Sequence, residues 1–450
     1  MPRSQQSPLK LTIYASGLRK DFRASQPGIS DSVLGFYDAG IEEIRAVTTS
    51  NRDMERQRDM PRNARALDAR TVLLHEYAHH HMRANNRAAF PAWYVEGFAE
   101  FLSTAEFNDN SADIGKVTFN RASWIVDGDW MAIEPFLTKH PREFATENEV
   151  AQFYAQSWLA AHYLFSTPER AKGFDNYTRA LQQGGDLLGA FQPSFGIAPE
   201  DFDKELRDYK RKPIRYYTLP DARPDSSSIT AIRLSRVADE VLVPASYLRS
   251  LPSRERAEET VALIRDQAKK HPDSPYVSQC VALADIWYGD LDAARVRLDE
   301  LLVQRPSTPD IHHLSGLCYL RAGRKQQSDE LIIEAQDAFG RAHQLDDGRP
   351  QTMYRYVESG LALTGMDEHL LNVLVGAYQL APQVDPIALT CAQALIQHKR
   401  FEEAVTVLRP LTAELHGGDM PALARDLTDI ALAEGRTTFS FYGAAMIGEE

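Results

Sequence analysis

The sequence predicts an α+β chain that is mostly α, a mixed N-terminal domain running into a long array of helices. Three observations carry this expectation. Short stretches that alternate apolar and polar residues come first, at residues 9–14, 33–37 and 41–47. Longer stretches with apolar residues three and four apart follow them, and strands before helices suit an α+β domain. From about Val241 the texture becomes helix pairs punctuated by glycine and proline at recurring spacing. The 450 residues, 43% of them hydrophobic, suffice for two or three domains with proper cores.

Taken in order, Leu9-Lys10-Leu11-Thr12-Ile13-Tyr14 reads as a half-buried strand, and Gly40 marks a turn between the second and third strands. Residues 52–70, with Arg56, Arg58 and Asp59, read as a charged loop. Asn108-Asp109-Asn110-Ser111 is a turn cluster, and residues 124–130 read as a loop. Residues 153–164 form an apolar helix, Gly184-Gly185 breaks the chain, and residues 199–212 make a charged helix. Pro220, Pro224 and Ser226-Ser227-Ser228 suggest a linker. The expected organisation is a domain at 1–216, a linker at 217–239, a helical array at 240–435 and a tail at 436–450.

The chemistry concentrates in Leu73-Leu74-His75-Glu76-Tyr77-Ala78-His79-His80. Residues four apart share a helix face, so His75 and His79 can aim two imidazoles at one point. Two imidazoles plus a carboxylate suit a catalytic zinc that keeps one position open for water. Glu76 is placed to take a proton from that water. The apolar residues around the motif, Val72 to Leu74 and Tyr77-Ala78, suggest a largely buried helix rather than histidines on a wet surface. A second helix follows Pro91, with Trp93, Val95, Phe98, Phe101 and Leu102 on its apolar side and Glu96 and Glu100 four apart. Such a buried acidic pair needs a cation or a hydrogen-bond partner.

His75-Glu76-x-x-His79 followed by Trp93-x-x-Glu96-Gly97-x-Ala99-Glu100 resembles the gluzincin metallopeptidases, in particular the peptidase MA-like group related to the zinc aminopeptidases. The resemblance covers at most the N-terminal half. It implies a zincin-like, thermolysin-like catalytic domain that binds Zn2+ through His75, His79 and Glu96, with Glu76 as the general base. Glu100 is then expected beside a histidine, and it is the fallback third ligand because the gap from His79 is slightly short. The aminopeptidases also carry a downstream tyrosine on the tetrahedral intermediate. Tyr154 sits at a compatible distance from Glu96, its alternative role being a core aromatic with a bonded hydroxyl. His162 reads as a satisfied helix histidine. The Gly-x-Met-Glu-Asn segment that reads a free amino terminus is absent, so the resemblance points to an endopeptidase or selective processing enzyme.

The C-terminal half resembles tetratricopeptide repeats: Gly289 leads to Pro306, Gly365 to Pro382, Leu314-Ser315-Gly316-x-x-Tyr319-x-x-x-Gly323 to Pro350, and Phe401-Glu402-Glu403-Ala404 marks a fourth unit. Such stacks present a concave face, where a peptide or protein partner is expected. The competing reading is a tetratricopeptide scaffold whose peptidase-like domain is degenerate and only binds. A third is a zinc hydrolase of non-peptide amides.

Composition narrows the partners. A formal charge of −13 argues against nucleic acid or an anionic membrane. Cys280, Cys318 and Cys391 lie in apolar helical patterns and read as buried small hydrophobes, with no disulfide framework. No apolar run is long enough to span a bilayer. Residues 1–8 lack the apolar core of a signal peptide, so the chain as given reads as cytoplasmic, or as exported or periplasmic if a longer N-terminus has been trimmed.

Overall fold

A computed structural model of the protein describes residues 11–17, 19–30, 33–49, 69–85, 88, 90–222, 232–234, 236–412 and 420–433. The start of the first expected strand, most of the 52–70 loop, the Ser226-Ser227-Ser228 stretch and the 436–450 tail lie outside these residues. The described chain is mostly helical, with two small sheets.

The N-terminal part begins with β1 (Thr12–Ser16), α1 (Arg19–Ala24), β2 (Gly35–Ala39) and β3 (Ile44–Thr49). The sheet order is β1-β3-β2, with β1 parallel and β2 antiparallel to β3, so β2 is an edge. All six residues of β3 are buried, as a central strand covered on both faces should be. The two helices that carry His75 and Glu96 follow, α2 (Ala69–Asn85) and α3 (Ala92–Ser103). After β4 (Glu106–Phe107) and β5 (Ser111–Ile114) come α4 (Phe119–Asp127), α5 (Ile133–Thr138), α6 (Glu147–Phe165), α7 (Pro168–Gln182), α8 (Phe191–Phe195) and α9 (Pro199–Tyr209).

Two expectations change here. Trp124 to Asp127 are the end of a helix rather than a loop: Thr118 caps that helix by accepting from the Arg121 backbone N–H. The stretch expected to open a linker is instead β6 (Tyr217–Pro220), paired antiparallel with β5. Pro220 is tolerated because it ends an edge strand.

Eleven further helices are described: α10 (Ala238–Arg249), α11 (Arg254–Lys270), α12 (Pro275–Tyr288), α13 (Leu291–Gln304), α14 (Pro309–Gln326), α15 (Asp329–Leu345), α16 (Pro350–Thr364), α17 (Glu368–Leu380), α18 (Asp385–Gln397), α19 (Phe401–Thr412) and α20 (Met420–Leu432). Each packs on the next, and α10, α12, α14 and α16 also touch in series. Small residues sit where helices cross: a Cβ on Gly316 would stand 2.5 Å from the Phe339 ring. The three cysteines are buried and unpaired with one another, as their apolar settings suggested.

The inner row of this array meets the N-terminal sheet. Arg45 of β3 donates to Ser246 of α10 at 3.1 Å. Glu42, in the turn before β3, accepts from His313 of α14 at 2.9 Å and from Arg355 of α16 at 2.7 Å. Ile41 and Ile44 join the apolar core built by Tyr354, Val357 and Ile387. Parts of α10, α14 and α16 are therefore covered by the chain's own N-terminal sheet and the turn before β3.

Candidate metal and catalytic site

Helix α2 lies against β2 and β3 on one side and α3 on the other. Gly35 makes the first approach possible: a Cβ there would fall 2.3 Å from Val72 and 3.5 Å from the Glu76 side chain. Gly97 does the same on the far side of α3, where a Cβ would stand 2.2 Å from the Ser157 carbonyl oxygen of α6. The glycine after Glu96 thus brings α6, and with it Tyr154, close to the metal-type helices. Gly97→Ala is expected to lower unfolding free energy by about 1–3 kcal/mol, the usual cost of overpacking a tight contact. Urea melts of the variant measure it, and unchanged stability would show that the two helices separate freely.

The expected ligands converge. His75 Nε2 and His79 Nε2 are 3.0 Å apart, and Glu96 Oε2 lies 3.4 Å and 3.5 Å from them. One ligand atom from each lies within 4.8 Å of the others, a set that could hold a metal ion. Glu96 Oε2 is buried without a hydrogen bond of ordinary geometry. The donor set, two imidazoles and a carboxylate, suits zinc. Burial alone would raise the Glu96 pKa, but His79 and His75 outweigh it and hold the carboxyl well below its ordinary value.

Glu100 takes a different place. Its Oε1 is 3.2 Å from His75 Nδ1, and both its oxygens accept from Arg121, at 2.6 Å and 2.7 Å. A carboxylate beside Nδ1 holds a proton on that nitrogen, so Nε2, on the Glu96 side, is the atom that would serve as a ligand. Burial lowers the His75 pKa, yet Glu100 and Glu96 more than reverse that and hold it well above the ordinary value. Arg121 is a residue of the candidate site that the sequence alone did not single out. The one signal available was a cation inside the apolar pattern of α4, and its target lies 21 residues away on another helix.

Glu76 is buried on the cleft side of α2, and burial raises its pKa against the pull of His75 and His79. Tyr154 lines the same cleft, its ring 6.1 Å from that of His75 and beneath the Arg121 guanidinium. It is half-buried rather than enclosed in the core. Burial, then the carboxylates of Glu96, Glu100 and Glu76, push its phenol pKa well up, so it carries its proton at neutral pH. Tyr77, expected to fill the helix middle, is instead 46% exposed. His162 is satisfied, bonded to the Tyr209 hydroxyl and the Arg215 carbonyl at 2.9 Å each.

The cleft holds about 550 Å³, between β2, α2, α3, Tyr154 and the array residues Pro382, Gln383, Asp385, Pro410 and Leu411. Arg83, near the end of α2, reaches Asp385 at 3.4 Å and ties the array to the metal-type helix. Among the described residues no helix is long and apolar enough to cross a membrane. No protein-family model matches the chain, and no curated protein matches it significantly.

Proposed function

We propose that the chain is a zinc-dependent peptidase of gluzincin type, an endopeptidase or selective processing enzyme, with a tetratricopeptide-type array behind its cleft. The observation that carries this is the convergence of His75, His79 and Glu96 on one point beside Glu76 and Tyr154. The small sheet beside two crossed helices supports a thermolysin-like domain, and the serial packing of α10 to α20 supports the repeat reading.

His75, His79 and Glu96 would hold the ion. A zinc bound there supplies Lewis acidity and a water acidified towards neutrality. Glu76 takes the proton of the attacking water and passes it to the leaving amine. The Tyr154 hydroxyl, protonated, donates to the oxygen on which negative charge develops. Glu100, locked by Arg121, keeps the His75 ring in one orientation. Among the described strands β2 is an edge of its sheet and lines the cleft, a place where an extended peptide could add as a strand.

Metal analysis of the purified protein tests the reading. About one zinc per chain is expected, lost in His75→Ala, together with chelator-sensitive cleavage of a broad peptide library. A protein that takes up no zinc would leave the scaffold reading in its place. Zinc uptake with hydrolysis of simple amides but of no peptide would favour the amide hydrolase.

A further inference from the structure

The helical array contributes five residues to the cleft, and four of them offer a substrate little polar purchase. Pro382 and Pro410 have no backbone N–H, Leu411 is apolar, and Asp385 is engaged by Arg83. The fifth, Gln383, sits in the short connection between α17 and α18 and is only 3% exposed. Neither its amide nitrogen nor its amide oxygen makes a hydrogen bond of ordinary geometry. The Tyr37 hydroxyl of β2, which itself lies 3.2 Å from His80 Nδ1, interacts with the amide as a hydrogen-bond partner outside ordinary geometry.

A buried amide with no hydrogen bond of ordinary geometry at either end is uncommon and has capacity for a partner. Its chemistry defines that partner, since one N–H donor beside one carbonyl acceptor matches another amide in a two-bond pair. We propose that Gln383 anchors the substrate by pairing with an amide group of an extended peptide, so that the array forms part of the substrate site. The proposal rests on the peptidase reading of the same cleft. Side-chain rotation on binding, which is common at interfaces, would bring the shielded amide to its partner. The amide it pairs with has two sources, a backbone peptide unit or the carboxamide of an asparagine or glutamine side chain.

The test uses the full chain loaded with zinc, and Gln383→Met, which keeps the side-chain length and removes the amide. A proteome-derived peptide library is digested by both, and Michaelis constants are then measured for the best-cut peptides. KM is expected to rise about tenfold in the variant, the worth of a lost pair of neutral hydrogen bonds, with kcat and zinc content little changed. A rise shared by all peptides assigns the partner to the backbone, and N-methylation of one substrate amide should then reproduce it. A rise confined to peptides with asparagine or glutamine at one position assigns it to the side chain. An unchanged KM overturns the proposal.

The same library is passed over immobilised Glu76→Gln chain, with and without Gln383→Met. Peptides retained by the first and lost by the second support the anchor even if the wild type cuts nothing, an outcome that would instead defeat the peptidase reading. Equal retention, or no retention by either, overturns the anchor. A thermal melt separates a folding defect, and Gln383→Leu serves as the second variant if the methionine protein melts early.

Discussion

Glu76→Gln is expected to keep its zinc and lose about 10²- to 10⁴-fold in kcat, the range that a positioned proton-transfer group supplies. The geometry makes this a sharp experiment. Glu76 is not one of the three converging donors, so an uncharged amide of the same shape leaves His75, His79 and Glu96 in place. Glutamine cannot take a proton from water at neutral pH, so the chemical step fails while metal uptake survives. The contrasting variant is His75→Ala, which should lose both. Atomic absorption and peptide cleavage, read on the same preparations, separate the two effects. Cleavage retained in the glutamine variant would strip Glu76 of the base role and direct attention to Tyr154 and its Arg121 neighbour.

Why this much of the site was legible is a matter of distance along the chain. His75, Glu76 and His79 fall within about one helical turn, so spacing alone groups them, whereas Glu96 on the next helix was reached through the family resemblance. The resemblance favoured Glu96 and kept Glu100 as a fallback, and what no spacing shows is Arg121 arriving from α4 to bond Glu100. The burial of α2 was overestimated at Tyr77 for a related reason. The sheet, α3 and the cleft cover three sides of the helix, and no apolar pattern says which side is left to solvent. The contribution of the array to the cleft was hidden more deeply still. It rests on contacts such as Arg83 to Asp385, across 302 residues, which periodicity within either half does not encode. The strand at 217–220 was missed because its proline signalled a linker, whereas β5 supplies the pairing that a proline at the end of an edge strand permits.

Arg355→Met should cost about 3–5 kcal/mol in urea unfolding, because it leaves buried carboxylates without their cation. Arg355 donates to Glu42 at 2.7 Å and to Glu358 at 2.6 Å, and all three side chains are essentially buried. Glu358 keeps Arg324 and Glu42 keeps His313, so the damage is shared rather than concentrated on one orphan. Glu42→Gln should cost less, since Arg355 then retains Glu358 and His313 retains Thr352. The same cluster sets an acid dependence. Burial alone would raise the Glu42 pKa, but Arg355 and His313 bring it down to about 2. A carboxyl depressed in the folded state stabilises fully above its unfolded pKa, near 4.3, and loses that contribution as pH falls towards 2. Wild-type melting temperature should therefore fall through this window more steeply than that of Glu42→Gln. Because Glu42 lies in the turn that leads into β3 and its partners lie on α14 and α16, the loss should also loosen the array from the cleft. A methionine variant as stable as wild type would mean that the remaining contacts, Arg45 with Ser246, Glu42 with His313 and the packing of Ile41 and Ile44, hold the sheet and the array together.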